Sequence, residues 1–74
     1  MGITWERDTP ASSMVESVGY DAETGELIVT WLKSGRKSAY SGVPEDVADE
    51  LSRAPSVGRM LNDEIKPNYP HRYL

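Results

Sequence analysis

Glu26-Leu27-Ile28-Val29-Thr30-Trp31-Leu32 is the stretch that decides the fold. Leu27, Val29 and Trp31 alternate with Ile28, Thr30 and Leu32, the period of two that marks a β-strand. Both alternating sets carry apolar side chains. The strand is therefore expected at the centre of a sheet, covered by helices on one face and partly buried on the other. Turn chemistry closes it at both ends. Asp21-Ala22-Glu23-Thr24-Gly25 lies before it, where Asp starts a local hydrogen-bonded turn and Gly25 supplies positive φ. Lys33-Ser34-Gly35 lies after it. Outward from these turns, Ser13 to Tyr20 reads as a preceding strand with Val15, Val18 and Tyr20 as packing residues. Arg36 to Tyr40 reads as a short following one. Turns this short make neighbouring strands antiparallel.

Ser41-Gly42-Val43-Pro44 is a sharp exit from the sheet, and Pro44 suits the first position of a helix. Glu45, Asp46, Asp49 and Glu50 place negative charge in its first two turns, where the helix dipole favours it. Val47, Ala48, Leu51 and Ala54 fall on one apolar stripe. Pro55 ends the helix near Ala54. Ser56 is a good N-cap for a second helix over residues 57–64, with Val57, Met60, Leu61 and Ile65 on its buried face. Pro67 and Pro70 prevent further helix, and Tyr69 to Leu74 is expected as an extended tail whose two tyrosines pack back on the sheet.

The expected architecture is α+β: a three-stranded antiparallel β-meander followed by two short α-helices. Residues 13–74 form one domain, preceded by an arm over residues 1–12 that Pro10-Ala11-Ser12 interrupts. Ile3 and Trp5 are apolar enough for that arm to add an N-terminal edge strand.

A chain of 74 residues is a single domain with a thin stability margin. It has no cysteine, which removes disulfides and thiolate metal sites, and its one histidine, His71, cannot make a histidine metal cluster. No cofactor is implied. No apolar run approaches membrane-span length, and Met1 to Pro10 lacks the apolar core of a signal peptide. A cytoplasmic protein with no membrane partner is expected, with homo-oligomerisation left open. The net charge of −4 disfavours nucleic acid as a partner, but the charge is uneven. Residues 1–32 hold one basic and six acidic side chains, whereas residues 51–74 hold four basic and two acidic.

The order of motifs along the chain is informative. Ser12-Ser13-Met14-Val15-Glu16-Ser17-Val18-Gly19-Tyr20-Asp21 leads into the aliphatic strand. Tyr40-Ser41-Gly42-Val43-Pro44, Ala54-Pro55-Ser56-Val57-Gly58, Asn62 and Ile65-Lys66-Pro67-Asn68-Tyr69 follow. Taken together over residues 12–74, these resemble the KTSC domain, named after the C-terminal region of some lysyl-tRNA synthetases and also found as small free-standing proteins of bacteria and phages. The resemblance implies a small non-catalytic module, with RNA binding suggested by the association with a tRNA enzyme. This chain departs from the family where an aromatic–x–aromatic pair is usual in the third strand: here it reads Ser38-Ala39-Tyr40, and the chain contains no phenylalanine.

Two constellations could bind an anion. At Ser56-Val57-Gly58-Arg59, a helix start offers free N–H groups, Gly58 allows close approach, and Arg59, aided by Lys66, adds charge. The competing reading has Ser56 as a plain cap and Gly58 as a packing glycine. On the third strand, Arg36, Lys37 and Tyr40 could form a basic strip with one stacking ring. There the competing reading puts Tyr40 in the core and the two charges at a protected sheet edge. The carboxylates near the helix start and the near-terminal His71 offer no positioned acid–base pair, so no catalytic residue is assigned. The expected function is a recognition module for RNA or a nucleotide-like anion. The alternative is a protein-interaction module, of a kind that a phage could encode, whose acidic half meets a host protein.

Overall fold

A computed structural model describes residues 3–9 and 12–74. The break expected at Pro10-Ala11 lies outside the described residues. Five strands form one antiparallel sheet in sequence order: β1 Trp5–Asp8, β2 Val15–Asp21, β3 Glu26–Trp31, β4 Lys37–Tyr40 and β5 His71–Tyr73. Between β4 and β5 lie α1 (Glu45–Ser52), α2 (Val57–Met60) and a π-helical turn, Leu61–Ile65.

The three-stranded meander is thus corrected to five strands, with β3 at the centre. The two added strands are edges, and edges are short and charged so that they do not recruit other chains. β1, Trp-Glu-Arg-Asp, is the N-terminal edge strand that Ile3 and Trp5 left open: Trp5 pairs with Tyr20 and Arg7 with Val18. β5 reads His-Arg-Tyr, is exposed along its length, and pairs Tyr73 with Ser38 and His71 with Tyr40.

The registers sort the side chains onto two faces, because successive residues of a strand point opposite ways. Val18, Val29, Ser38 and Tyr73 share the front face with Arg7, and Tyr20, Leu27 and Tyr40 share it with Trp5. The helices pack on this face. Val15, Leu27, Val29, Leu51, Leu61 and Ile65 are fully buried there, and Val15 joins Trp31 across a bulge that leaves Glu16 unpaired. Thr9 Oγ1 donates to Val15 O at 2.6 Å and secures the bulged segment.

Helix boundaries follow local chemistry. Pro44 sits just outside α1 as its N-cap, with ψ of 153°, rather than at the first helical position. Its carbonyl accepts from Ala48 N at 3.0 Å. The last turn of α1 contains no basic residue. Arg7 supplies the missing cation from β1: Nη1 donates to Leu51 O at 3.1 Å and to Ser52 O at 3.0 Å. Ser56 caps α2, its Oγ accepting from Arg59 N at 3.4 Å. The helix then widens, and Lys66 N donates to Leu61 O at 2.8 Å across five residues, a π-turn that keeps both Leu61 and Ile65 in the core.

Candidate functional site

The helices cover the sheet from β2 across β3 but leave the front of β4 and β5 open. A groove of about 520 Å³ lies there. Its floor is Ser38, Tyr40 and His71, and its walls are Trp31, Arg36, Lys66 and Tyr73. The backbone makes this arrangement in two ways. The Gly35 turn, with φ of 69°, folds the chain back so that Trp31 N bonds Arg36 O at 2.8 Å and Arg36 leaves the sheet beside Tyr73. The π-turn delivers Lys66 to the opposite wall.

Each cation rests on a ring. The Arg36 guanidinium lies 5.0 Å from the Tyr73 centroid, and Lys66 Nζ 4.9 Å from the Trp31 centroid. Among the described residues neither makes a salt bridge, and no carboxylate lines the groove. An entering anion therefore meets two cations already oriented and not engaged by an acid. The rings are also organised. Tyr40 and His71 lie 5.2 Å apart with a tilt of 35°, and His71 meets Tyr73 edge-on at 5.4 Å. Trp31 Nε1 donates to Ser38 Oγ at 2.8 Å, which fixes the indole plane. Tyr40 is only 2% exposed, while Tyr73 is 61% exposed, so Tyr73 is the ring with an open face. Burial, with a smaller contribution from Tyr73, pushes the Tyr40 phenol above its usual value, so it remains a neutral hydroxyl in the floor.

The structure thus brings together Arg36, Tyr40 and Lys66. Lys37 points to the other face of the sheet, paired with Thr30. Ser56, Gly58 and Arg59 line a separate hollow with Asn62 and Asp63. There Arg59 Nε lies 3.7 Å from Asp63, and a Cβ on Gly58 would sit 3.4 Å from Ser12 Oγ, so that glycine admits the segment leading into β2. The groove also contains Trp31, Ser38, His71 and Tyr73, which sequence reasoning did not single out. The signal for Trp31 was its place in the period-two run beside Leu27 and Val29. That for His71 and Tyr73 was their spacing of two, which places both on one face once the tail is a strand.

Among the described residues, no group of three or more His, Cys, Asp or Glu side chains is placed to hold a metal ion. No helix among them is long and apolar enough to cross a membrane.

Comparisons with known proteins agree over most of the chain. The family model for the KTSC domain matches residues 11–69. An uncharacterised protein of Stutzerimonas stutzeri is 37% identical over 62 residues, 84% of each chain. A protein of Tsukamurella paurometabola is 34% identical over 58 residues, covering 78% of this chain and 85% of its own. The crystal structure of a KTSC domain protein from Yersinia pestis superposes with a TM-score of 0.79 at 30% identity, covering 95% of this chain and 99% of that one.

Proposed function

The chain belongs to the KTSC domain family, and we propose that it works as a small non-catalytic recognition module for single-stranded RNA or a nucleotide-like anion. The observation that carries this is the β4–β5 groove, where Arg36 and Lys66 lie on aromatic rings with no lining carboxylate. Phosphate would meet the two cations, and a base would stack on the open ring of Tyr73. Base–aromatic stacking contributes about 1–3 kcal/mol per base and tolerates any sequence. Action in the cytoplasm, in bacterial or phage biology, belongs to the same reading.

Two phosphate contacts imply a log–log salt slope near −1.4 for a single strand. Between roughly 50 and 200 mM salt, affinity then falls about seven-fold. The test is fluorescence titration of a Trp5→Phe protein, in which Trp31 alone reports, with oligouridylate and with a free nucleotide. Arg36→Ala and Lys66→Ala should each flatten the slope by about 0.7, and Tyr73→Ala should weaken binding with the slope intact. Unchanged affinity in the folded Arg36→Ala/Lys66→Ala protein would remove this reading.

A protein-interaction role is the second reading. It is favoured by a hollow of about 370 Å³ where Trp5 and Tyr20 meet Glu45, Asp46 and Asp49, a surface suited to a basic partner. Such a partner would be insensitive to Arg36 and Lys66 and sensitive to Asp46→Asn with Asp49→Asn.

A further inference from the structure

His71 is the only histidine of the chain, and it lies in the floor of the β4–β5 groove. β5 holds it there. It pairs in register with Tyr40, and its ring lies 5.2 Å from that of Tyr40 and 5.4 Å from that of Tyr73. Neither ring nitrogen has a hydrogen-bond partner among the described residues. The residue is exposed, so a ligand entering the groove can reach it.

The groups that share the groove with His71 come from four places. Tyr40 on β4 and Tyr73 on β5 present phenol rings, and Arg36 from the β3–β4 turn and Lys66 from beyond the π-turn are cations. Glu26 is turned to the back face by the alternation along β3, where it accepts from Arg72 Nη2 at 2.9 Å. Among the described residues no acid lines the groove, so none is there to fix the charge of the imidazole. An anion that enters becomes its first counter-ion. A phosphodiester held by Arg36 and Lys66 favours the protonated ring, in which both nitrogens donate; the neutral ring has one donor.

We propose that His71 is a third anion contact of the groove and takes up a proton as a phosphodiester binds, so that affinity rises as pH falls through the histidine range, from about pH 8 to about pH 5. This rests on the reading of the groove as a site for a nucleotide-like anion, and adds that pH regulates the site. The gain of a charged hydrogen bond over a neutral one amounts to about five-fold in affinity. Proton and anion promote each other's binding reciprocally, so the bound anion moves the titration of His71 upward by the same factor, about 0.7 pH unit. A third contact also steepens the log–log salt slope at low pH, from near −1.4 towards about −2.1.

The probe is oligouridylate with hydroxyl ends, whose diesters and uracil rings keep their charge between about pH 5.5 and about pH 7.5, the two sides of the histidine range. Fluorescence titration of the Trp5→Phe protein should show about five-fold tighter binding at the lower pH, with the steeper salt slope. Because the chain has a single histidine, its ring protons are followed without ambiguity by proton NMR, and their titration should move up by about 0.7 pH unit when oligouridylate is bound. His71→Phe keeps a ring beside Tyr40 and Tyr73 and should abolish the pH dependence; circular dichroism checks that it is folded. Equal affinity at both pH values overturns the proposal and leaves the groove reading standing. So does a histidine titration that the bound ligand does not move, or a pH dependence that survives in folded His71→Phe. Absence of binding at either pH removes both.

Discussion

Arg7→Met tests how the edge strand is held. The guanidinium spans from β1 to the end of α1 and donates to both Leu51 O and Ser52 O. A charged donor contributes about 1.5–3 kcal/mol per hydrogen bond in favourable settings. A cation at a helix C-terminus contributes about 0.3–1 kcal/mol, and up to ~2 when partly buried. These are not independent, since one half-buried group makes all of them, and methionine preserves most of the apolar stem. A net loss of about 2 kcal/mol is expected, within the range of a single charged hydrogen bond, since both contacts come from the one Nη1 nitrogen. For a domain of this size that corresponds to a fall in Tm of about 8–16 °C. Urea unfolding and a thermal scan measure it. Arg7→Lys keeps a charged nitrogen donor but on a shorter stem, and should recover about half of the loss. If Arg7→Met unfolds within about 0.5 kcal/mol of the parent, the contact does not hold β1 to α1 and the reasoning fails.

Three further outcomes follow from the same structure. Burial first, then Glu45, Asp46 and Asp21, raises the pKa of Tyr20, whose hydroxyl donates to Val43 O at 2.7 Å; Tyr40 is raised too. Both phenols are favoured neutral in the fold, so their stabilisation is complete below the unfolded value near pH 10 and is lost as pH rises through the higher folded values. Near-ultraviolet titration should show two late phenolates, with the late rise removed in part by Tyr20→Phe. Gly25→Ala places an L-residue at φ of 73° and should cost about 1–2 kcal/mol in chemical unfolding. Ser38→Ala removes the acceptor of Trp31 Nε1 from a residue only 1% exposed; it should cost about 1 kcal/mol and shift the emission of Trp31 in a Trp5→Phe background.

What the sequence made legible was whatever declares itself through burial and local chemistry. β3 was readable because both of its faces are apolar. The turns at Gly25 and Gly35 were readable because they need positive φ, and Ser56 because its side chain caps α2. The N-terminal edge strand was readable only as an option, through Ile3 and Trp5, and β5 was not, because an edge strand with charged neighbours has the same composition as a solvated tail. Arg7 was hidden for a related reason: its partners are backbone carbonyls more than forty residues away, and carbonyls leave no mark in a sequence. The groove was partly legible, since Arg36, Tyr40 and Lys66 were singled out, but on separate grounds. They meet only because β5 pairs with β4 and because the π-turn aims Lys66 at Trp31. The Ser38 departure from the family pattern has a counterpart in space: its hydroxyl orients Trp31 on the neighbouring strand, so an aromatic wall remains where the third strand lost a ring.

The late entry of β5 also sets an order of assembly. Each of the first three strand pairings joins neighbours in the chain across a short loop, so they close quickly. The fourth joins Tyr40 to His71 across the whole helical segment, a longer loop whose closure costs more entropy. His71 and Tyr73 ride on that last strand, which is exposed throughout and is the section of the sheet that opens at least cost. The groove is therefore the final part of the molecule to be completed and the first to come undone. A ligand that fills it would slow hydrogen exchange at β5 before it affected any other strand.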